Sequence, residues 1–280
     1  MLRVFDSVGE FVAAVPAPGT KVPEGIVCRC ENDGTGGNVV PRRNAYWTGG
    51  LTFHEAMDKA KLGDSSLVPS AERMLENLEF SLPSTSGWET LRSPFGGRVN
   101  IGDWLAGSPT PMRRRVKRVN DISPIKVIVS LSSSAGIGQE TMAARGTAIL
   151  AFLMQAQRIR PIELYGLIEV DGSKDGSVYF MIKVESKPLN LSQAAFVLAN
   201  VGFARHGYNL ADMEGFQGAW PEDYYSGEAH YAPLRRQRLH LEPNDVVIPA
   251  AFLSDPLIAE PVQWITNELA KISQQTNVGE

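Results

Sequence analysis

Residues 125–138 read IKVIVSLSSSAGIG, and this stretch decides the fold. It begins with a β-branched apolar run, passes through a serine cluster and ends in a glycine-rich turn. A strongly apolar segment, Met142 to Met154, follows. This succession is typical of a buried strand that feeds a helix of an α/β sheet. Because ligands of such sheets sit at the carboxyl ends of the strands, we expect the functional site at the serine cluster, residues 130–134.

Shorter patterns on either side predict the other elements. A helix at 53–62 begins with a capping box, in which Thr52 and Glu55 stand three residues apart. After the central helix, residues 161–170 and 178–184 predict two strands joined by a hairpin turn. The other predicted elements are helices at 5–15, 70–80, 191–201 and 261–272, a strand at 246–248, and an edge strand or connector at 112–118. The segments expected to be irregular are 83–97 and 202–239.

Together these elements predict a three-layer α/β sandwich with a mostly parallel sheet. A right-handed crossover from the central strand through its helix leaves such a sheet buried on both faces. The sandwich is expected to span residues 112–280. Residues 1–111, with their short helices and loops, are expected to form a small helical appendage before the sheet.

The composition argues against several classes of protein. The chain has 280 residues, 43% of them hydrophobic, and a net charge of −4, so its surface is not basic overall. The two cysteines, Cys28 and Cys30, lie too close for an unstrained disulfide, which favours a reducing compartment. No apolar run approaches the ~20 residues that span a bilayer. We therefore expect a cytoplasmic protein with no membrane partner.

The serine cluster resembles the metal-ion-dependent adhesion site of von Willebrand factor A domains. In that family the first loop reads Asp-x-Ser-x-Ser at the carboxyl end of the central strand, and Ser130, Ser132 and Ser134 alternate in the same way. The resemblance covers roughly residues 125–272 and includes the hairpin, whose third strand is antiparallel at the sheet edge in that family. It implies that Ser132 and Ser134 bind a divalent cation such as Mg²⁺, and that Asp255 is a later-loop aspartate.

This chain departs from the family at the first position of the motif. Ser130 stands where the family has its aspartate, and a hydroxyl in place of a carboxylate removes a full charge from a site that hard cations need. We therefore expect a degenerate site that binds metal weakly or not at all, and no required cofactor. Ser130, Ser132, Ser134 and Asp255 then become candidate partner-binding residues. The alternative is that the serines only bond backbone groups in a tight strand-to-helix turn.

Several short motifs are similar to uncharacterised proteins of tailed bacteriophages. They are Trp47-Thr48-Gly49-Gly50, Glu55-Ala56, Gly107-Ser108-Pro109, Met112-Arg113-Arg114 and Arg145-Gly146. This resemblance implies no activity. It implies a phage protein that works in the cytoplasm of a bacterial host.

The strongest local charge lies just before the central strand. Arg113, Arg114, Arg115, Lys117 and Arg118 place five positive charges within six residues. Such a run could hold phosphate groups with salt-sensitive affinity, and the aromatic residues of segment 220–231 could stack on bases. The alternative is a solvated connector.

Three hypotheses of function follow. The first is a non-enzymatic protein-interaction module of the A-domain type, and the resemblance implies an AAA+ ATPase as a partner. The second is a phage nucleic-acid-binding protein that uses the run from Arg113 to Arg118. The third is a serine-dependent hydrolase, for which His206, His230 or His240 would supply the base, although the Gly-x-Ser-x-Gly frame is missing.

Overall fold

The computed structural model of the chain describes most of its length. The described residues are 1–21, 48–76, 78, 88–117, 124–133, 136–172, 176–186, 188–214, 236–251 and 255–277. They belong to two compact units, one made of residues 1–79 and 124–280 and the other of residues 80–123. We call them the large unit and the small unit.

The elements are numbered along the chain. The strands are β1 (Leu2–Phe5), β2 (Trp88–Ser93), β3 (Arg98–Val99), β4 (Met112–Lys117), β5 (Ile125–Ser130), β6 (Ile162–Gly172), β7 (Gly176–Val184) and β8 (Val246–Ile248). The helices are α1 (Val8–Ala14), α2 (Phe53–Leu62), α3 (Val68–Glu76), α4 (Ile101–Leu105), α5 (Gln139–Ile159), α6 (Leu191–Ala199), α7 (Val201–Met213), α8 (Pro256–Ala259) and α9 (Pro261–Asn277).

The large unit is built on a five-stranded sheet in the order β1-β7-β6-β5-β8. β5 lies at the interior of the sheet and is parallel to both of its neighbours, β6 and β8. β7 is antiparallel to β6, and β1 is parallel to β7. The sheet is therefore mostly parallel, and helices flank it. This arrangement confirms the predicted α/β sandwich class.

The N-terminal residues do not form an appendage. Leu2–Phe5 pair in parallel with Tyr179–Ile182, so β1 is an edge strand of the main sheet and β7 lies inside it. The predicted domain boundary at residue 111 therefore does not match the boundaries of the two compact units. The antiparallel strand was also expected at the edge of the sheet, but β7 lies inside it. The reason is that four residues carry too little local pattern to reveal a pairing with a strand so far along the chain.

Aromatic rings attach α1 and α7 to the sheet. The ring of Phe11 in α1 lies 5.2 Å from that of Phe5 and 5.7 Å from that of Phe203 in α7, both centroid to centroid and edge-on. Phe180 of β7 lies 6.1 Å from Phe5 in the same cluster. All four side chains are buried. Edge-to-face pairs of this kind add about 0.5–1.5 kcal/mol each beyond the area that they bury.

The helix that follows β5 is buried along most of its length. Of the 21 residues of α5, 12 are buried, and the helix contacts α3, α6, α8 and α9. Its approach to α6 is close because Gly146 lacks a side chain: a Cβ atom there would stand 2.2 Å from Cβ of Ala199. On its other side, Phe152 packs edge-on against Trp264 of α9 at 5.3 Å. This position explains the continuous apolar run in the sequence.

The small unit contains a separate antiparallel sheet in the order β2-β4-β3, together with α4. The prediction of an irregular segment at 83–97 was wrong, because β2 lies within it. The predicted strand at 112–118 exists, but it is not an edge strand, since β4 pairs with β2 on one side and with β3 on the other.

The predicted irregular stretch 202–239 was also wrong in its first part, which forms α7. Two glycines of this helix serve close packing. A Cβ atom on Gly202 would stand 2.5 Å from the carbonyl oxygen of Thr48, and one on Gly207 would stand 2.6 Å from Cδ1 of Ile168. Residues 215–235, with the aromatic residues at 220–231, lie outside the described residues.

Candidate functional site

The serine loop, residues 130–133, leaves the carboxyl end of β5 and stays tied to the sheet. The N–H of Leu131 donates to the carbonyl of Leu167 at 2.8 Å, and the N–H of Ala251 donates to the carbonyl of Ser132 at 2.9 Å. The N–H of Ser132 also donates to Oγ of Ser130 at 3.4 Å. Ser130 and Ser132 are buried. The loop is therefore held between the middle of β6 and the segment that follows β8.

A buried arginine lies beneath this loop. Arg145 of α5 is completely buried, and its Nε donates to Oδ2 of Asp255 at 2.8 Å. One terminal nitrogen donates to the carbonyl of Ser130 at 3.5 Å, and the other donates to the carbonyl of Pro249. A single guanidinium thus connects the end of β5, the end of β8 and the start of α8.

Both carboxylate oxygens of Asp255 are engaged. Oδ2 accepts from Arg145, and Oδ1 accepts from the N–H of Leu257 at 2.9 Å, so Asp255 is also the N-cap of α8. Burial lowers the pKa of Arg145, and the charge and hydrogen bond of Asp255 oppose that effect. Burying a charge is costly unless it is paired, so each member of this pair makes the burial of the other tolerable.

A second arginine approaches the loop from α7. Arg205 is buried; its guanidinium donates to the carbonyl of Ile137 at 3.0 Å and to Oγ of Ser133 at 3.4 Å. One helical turn further on, the hydroxyl of Tyr208 donates to Oγ of Ser132 at 3.0 Å. Two serine hydroxyls therefore accept hydrogen bonds from α7.

These residues do not fit the metal site that the resemblance implies. A hard divalent cation needs carboxylate and other oxygen ligands with a net negative charge. Here Asp255 is already paired, the hydroxyl of Ser132 is bonded to Tyr208, and Arg145 and Arg205 bring two positive charges to the loop. Ser134 lies outside the described residues. Within the part of the chain that is described, no group of three or more His, Cys, Asp or Glu side chains is placed to hold a metal.

The loop also lacks the surroundings of a serine nucleophile in what the structure describes. A nucleophilic serine is activated by an adjacent base, whereas Ser132 and Ser133 accept hydrogen bonds from a phenol and a guanidinium. His206 is buried with its ring edge-on to Phe53 at 5.5 Å, and His240 is exposed. His230 is not among the described residues.

The sequence pointed to Ser130, Ser132 and Asp255 but missed the arginine that joins Ser130 to Asp255. The available signal was Arg145 itself: a lone charge within an apolar helical run has to be either exposed or paired when buried. Its partner could not be found in the same way, because Asp255 lies 110 residues away. Arg205 and Tyr208 gave no signal because their segment was predicted to be irregular.

The structure describes the basic run, residues 113–118, except for its last residue. Arg113 and Arg114 of β4 are exposed, and Arg115 and Lys117 belong to the same strand. Arg118 lies outside the described residues, as do Cys28 and Cys30.

The fold and the site therefore define a class of protein: an α/β sandwich in which an arginine–aspartate pair lies beneath the central loop. The chain belongs to the family described as "Domain of unknown function (DUF7192)", whose model matches residues 1–269. No curated protein and no solved structure gave a significant match. Within the described residues, no helix is both long and apolar enough to cross a membrane.

Proposed function

We propose that the protein is a non-enzymatic interaction module of the A-domain type, whose carboxyl-end loops bind a protein partner without a metal ion. One observation carries the proposal: the guanidinium of Arg145 bonds Asp255 and the carbonyls of Ser130 and Pro249. In the family that the serine motif resembles, a cation joins the loops at this edge of the sheet. Here a side chain of the protein supplies the positive charge.

The physical consequence is a set of loops that is ordered before any partner arrives. A metal-dependent site gains its shape when the ion binds, whereas the Arg145–Asp255 pair is part of the fold. Binding by preformed loops avoids the entropic cost of ordering them, and this lowers the free energy that the contacts themselves must supply. The strand order also supports the proposal, because the serine loop follows an interior strand with parallel neighbours on both sides.

The setting and the partner are part of the same proposal. The short motifs that are similar to tailed-phage proteins support a phage protein in the cytoplasm of its bacterial host. The A-domain resemblance supports an AAA+ ATPase as the partner. Both rest on resemblance alone.

The first test is a thermal melt of the full chain with and without Mg²⁺, Mn²⁺ or Ca²⁺. A ligand that binds only the native state raises its stability by RT ln(1 + [L]/Kd), so a functional metal site would raise the melting temperature with ion concentration. We expect no rise for the parent protein. A rise that disappears in Ser132→Ala would contradict the proposal and restore the metal-dependent site.

The second test concerns the partner. We would crosslink the full chain to proteins of the host and look for an ATPase subunit by mass spectrometry. Glu140, exposed in the first turn of α5, lies at the loop edge, and Gln157 is exposed near the other end of the same helix. Glu140→Lys should abolish the crosslink and Gln157→Lys should preserve it. Equal crosslinking by the two variants would place the partner elsewhere on the molecule.

A further inference from the structure

The small unit differs sharply in charge from the rest of the chain. Residues 80–123 contain seven Lys and Arg against three Asp and Glu, a net charge of +4, whereas the whole chain carries −4. The remaining residues therefore carry −8. A segment with this positive charge indicates an anionic ligand, although the net charge of the whole chain is negative.

Three arginines stand side by side across the small sheet. Arg113 of β4 is the direct cross-strand partner of Arg92 in β2 and of Arg98 in β3. Direct partners project from the same face of a sheet, and neighbouring strands are about 4.8 Å apart. All three residues are exposed. We call this set the arginine row.

The arginine row has little counter-charge. Nε of Arg92 lies 3.6 Å from Oδ2 of Asp103, which also accepts a hydrogen bond from Asn100 at 2.6 Å. Among the side chains that the structure describes, no carboxylate pairs with Arg98 or Arg113. Like charges placed directly opposite each other destabilise a sheet. An anion bound across the row would remove this repulsion.

Two exposed aromatic residues are chain neighbours of residues that lie against the row. Phe95, 79% exposed, lies in the turn between β2 and β3. The next residue, Gly96, packs closely against β4, since a Cβ atom there would stand 2.5 Å from the carbonyl oxygen of Arg113. Trp104, 62% exposed, follows Asp103, the residue that contacts Arg92. The small unit therefore exposes two rings, each next in the chain to a residue that lies against the arginine row.

We propose that the arginine row, with Phe95 and Trp104, binds single-stranded nucleic acid. Guanidinium groups match phosphate oxygens with paired, charge-assisted hydrogen bonds, and exposed rings stack on bases of any sequence. An acidic protein segment could also meet the positive charge, but it would leave the stacking capacity of both rings unused. Three aliphatic residues of this unit, Val99, Ile101 and Leu105, are exposed as well.

The test is fluorescence anisotropy of the full chain with a labelled 20-nucleotide oligo(dT) across a series of salt concentrations. Three phosphate contacts predict that log K falls against log [salt] with a slope of about −2, because each contact on a single strand contributes about −0.7. Neutralising the row with Arg92→Gln, Arg98→Gln and Arg113→Gln together should abolish this slope. Trp104→Ala should weaken binding by about tenfold.

The matched control is Arg158→Gln, which removes an exposed arginine of α5 in the large unit and should leave affinity and slope unchanged. Thermal melts would establish that each variant folds. Failure of the parent to bind oligo(dT) at 50 mM salt, or an unchanged slope in the triple variant, would overturn the proposal. Tighter binding of a labelled polyglutamate peptide than of oligo(dT) would also overturn it and assign the row to an acidic protein. None of these outcomes depends on the loops of the large unit.

Discussion

Nε of Arg145 and Oδ2 of Asp255 lie 2.8 Å apart in the buried interior, although 110 residues separate them in the chain. This ion pair determines how the carboxyl edge of the main sheet is organised. Its arginine comes from the helix that follows β5, and its aspartate begins the short helix that follows β8. The contact therefore fixes the helices that follow two neighbouring strands, β5 and β8, against each other at the serine loop.

Removing one member of this pair should be severely destabilising. Arg145→Met leaves the carboxylate of Asp255 buried without its positive partner, and we expect the free energy of unfolding in urea to fall by about 3–5 kcal/mol. The matched control is Arg158→Met in the same helix, where the exposed arginine donates to Gln155 and the change should stay within about 0.5 kcal/mol. Adding Asp255→Asn to Arg145→Met removes the unpaired charge and keeps the cap, so it should recover part of the loss. No recovery would contradict the charge explanation.

A methyl group between α5 and α6 should also be costly. In Gly146→Ala the added Cβ would meet Cβ of Ala199 at 2.2 Å, so the two helices must separate. We expect a loss of about 1–3 kcal/mol in chemical denaturation. The double variant Gly146→Ala with Ala199→Gly moves the methyl group to the other helix and should regain much of the stability. If the single variant proved neutral, the close helix crossing described above would be wrong.

The hydrogen bond between Tyr208 and Ser132 can be measured by a double-mutant cycle. Tyr208→Phe removes the donor and Ser132→Ala removes the acceptor, and each should cost about 1 kcal/mol. Since both changes break the same bond, their sum should exceed the cost of the double variant. Strictly additive losses would mean that the two hydroxyls do not interact in the folded protein.

Asp64 should make stability depend on pH in the acidic range. Hydrogen bonds from Lys59 and from the N–H of Ser66 lower the pKa of Asp64 from 3.8 to about 2. A carboxyl with a lowered pKa stabilises the fold above its unfolded pKa, and this contribution is lost as the pH falls from about 4 to about 2. The advantage of the parent over Asp64→Asn should be about 0.5 kcal/mol at pH 6, since the side chain is partly exposed, and should vanish near pH 2.

Lys59→Met tests the cause of this dependence. Because Nζ of Lys59 lies 2.7 Å from Oδ2 of Asp64, removing the ammonium group should shrink the pH-dependent advantage. Melting temperatures at pH 6, 4, 3 and 2 are needed for the parent, the two single variants and the double variant Lys59→Met/Asp64→Asn. An advantage that persists unchanged in Lys59→Met would assign the lowered pKa to Ser66 alone.

The sequence predicted the parts of the fold whose signals are local. The apolar run 125–129 and the long apolar helix after it define the centre of the sheet, and the capping box at Thr52 and Glu55 is present with both of its hydrogen bonds. What the sequence could not predict depends on distant pairings. β1 has four residues and acquires its place only through β7.

The same limit applies to the site. The serines were visible because they follow a recognisable strand, so their location at the carboxyl edge could be predicted. Their environment could not, because it is set by Arg145, Arg205 and Tyr208, which come from two helices and reach the loop only after folding. The arginine row was hidden for a similar reason: Arg92 and Arg98 become neighbours of Arg113 only through strand register.

The pairing of β1 with β7 sets an order of events during synthesis. Leu2 leaves the ribosome early, yet its partner Tyr179 does not exist until most of the chain has been made. At roughly 5–20 residues per second, β1 waits on the order of 10–35 s for the strand that it joins. The hairpin of β6 and β7 closes over a short distance, whereas β1 must close a loop that spans the whole small unit. Sheet formation in the nascent protein therefore starts near its middle, and its first residues dock late.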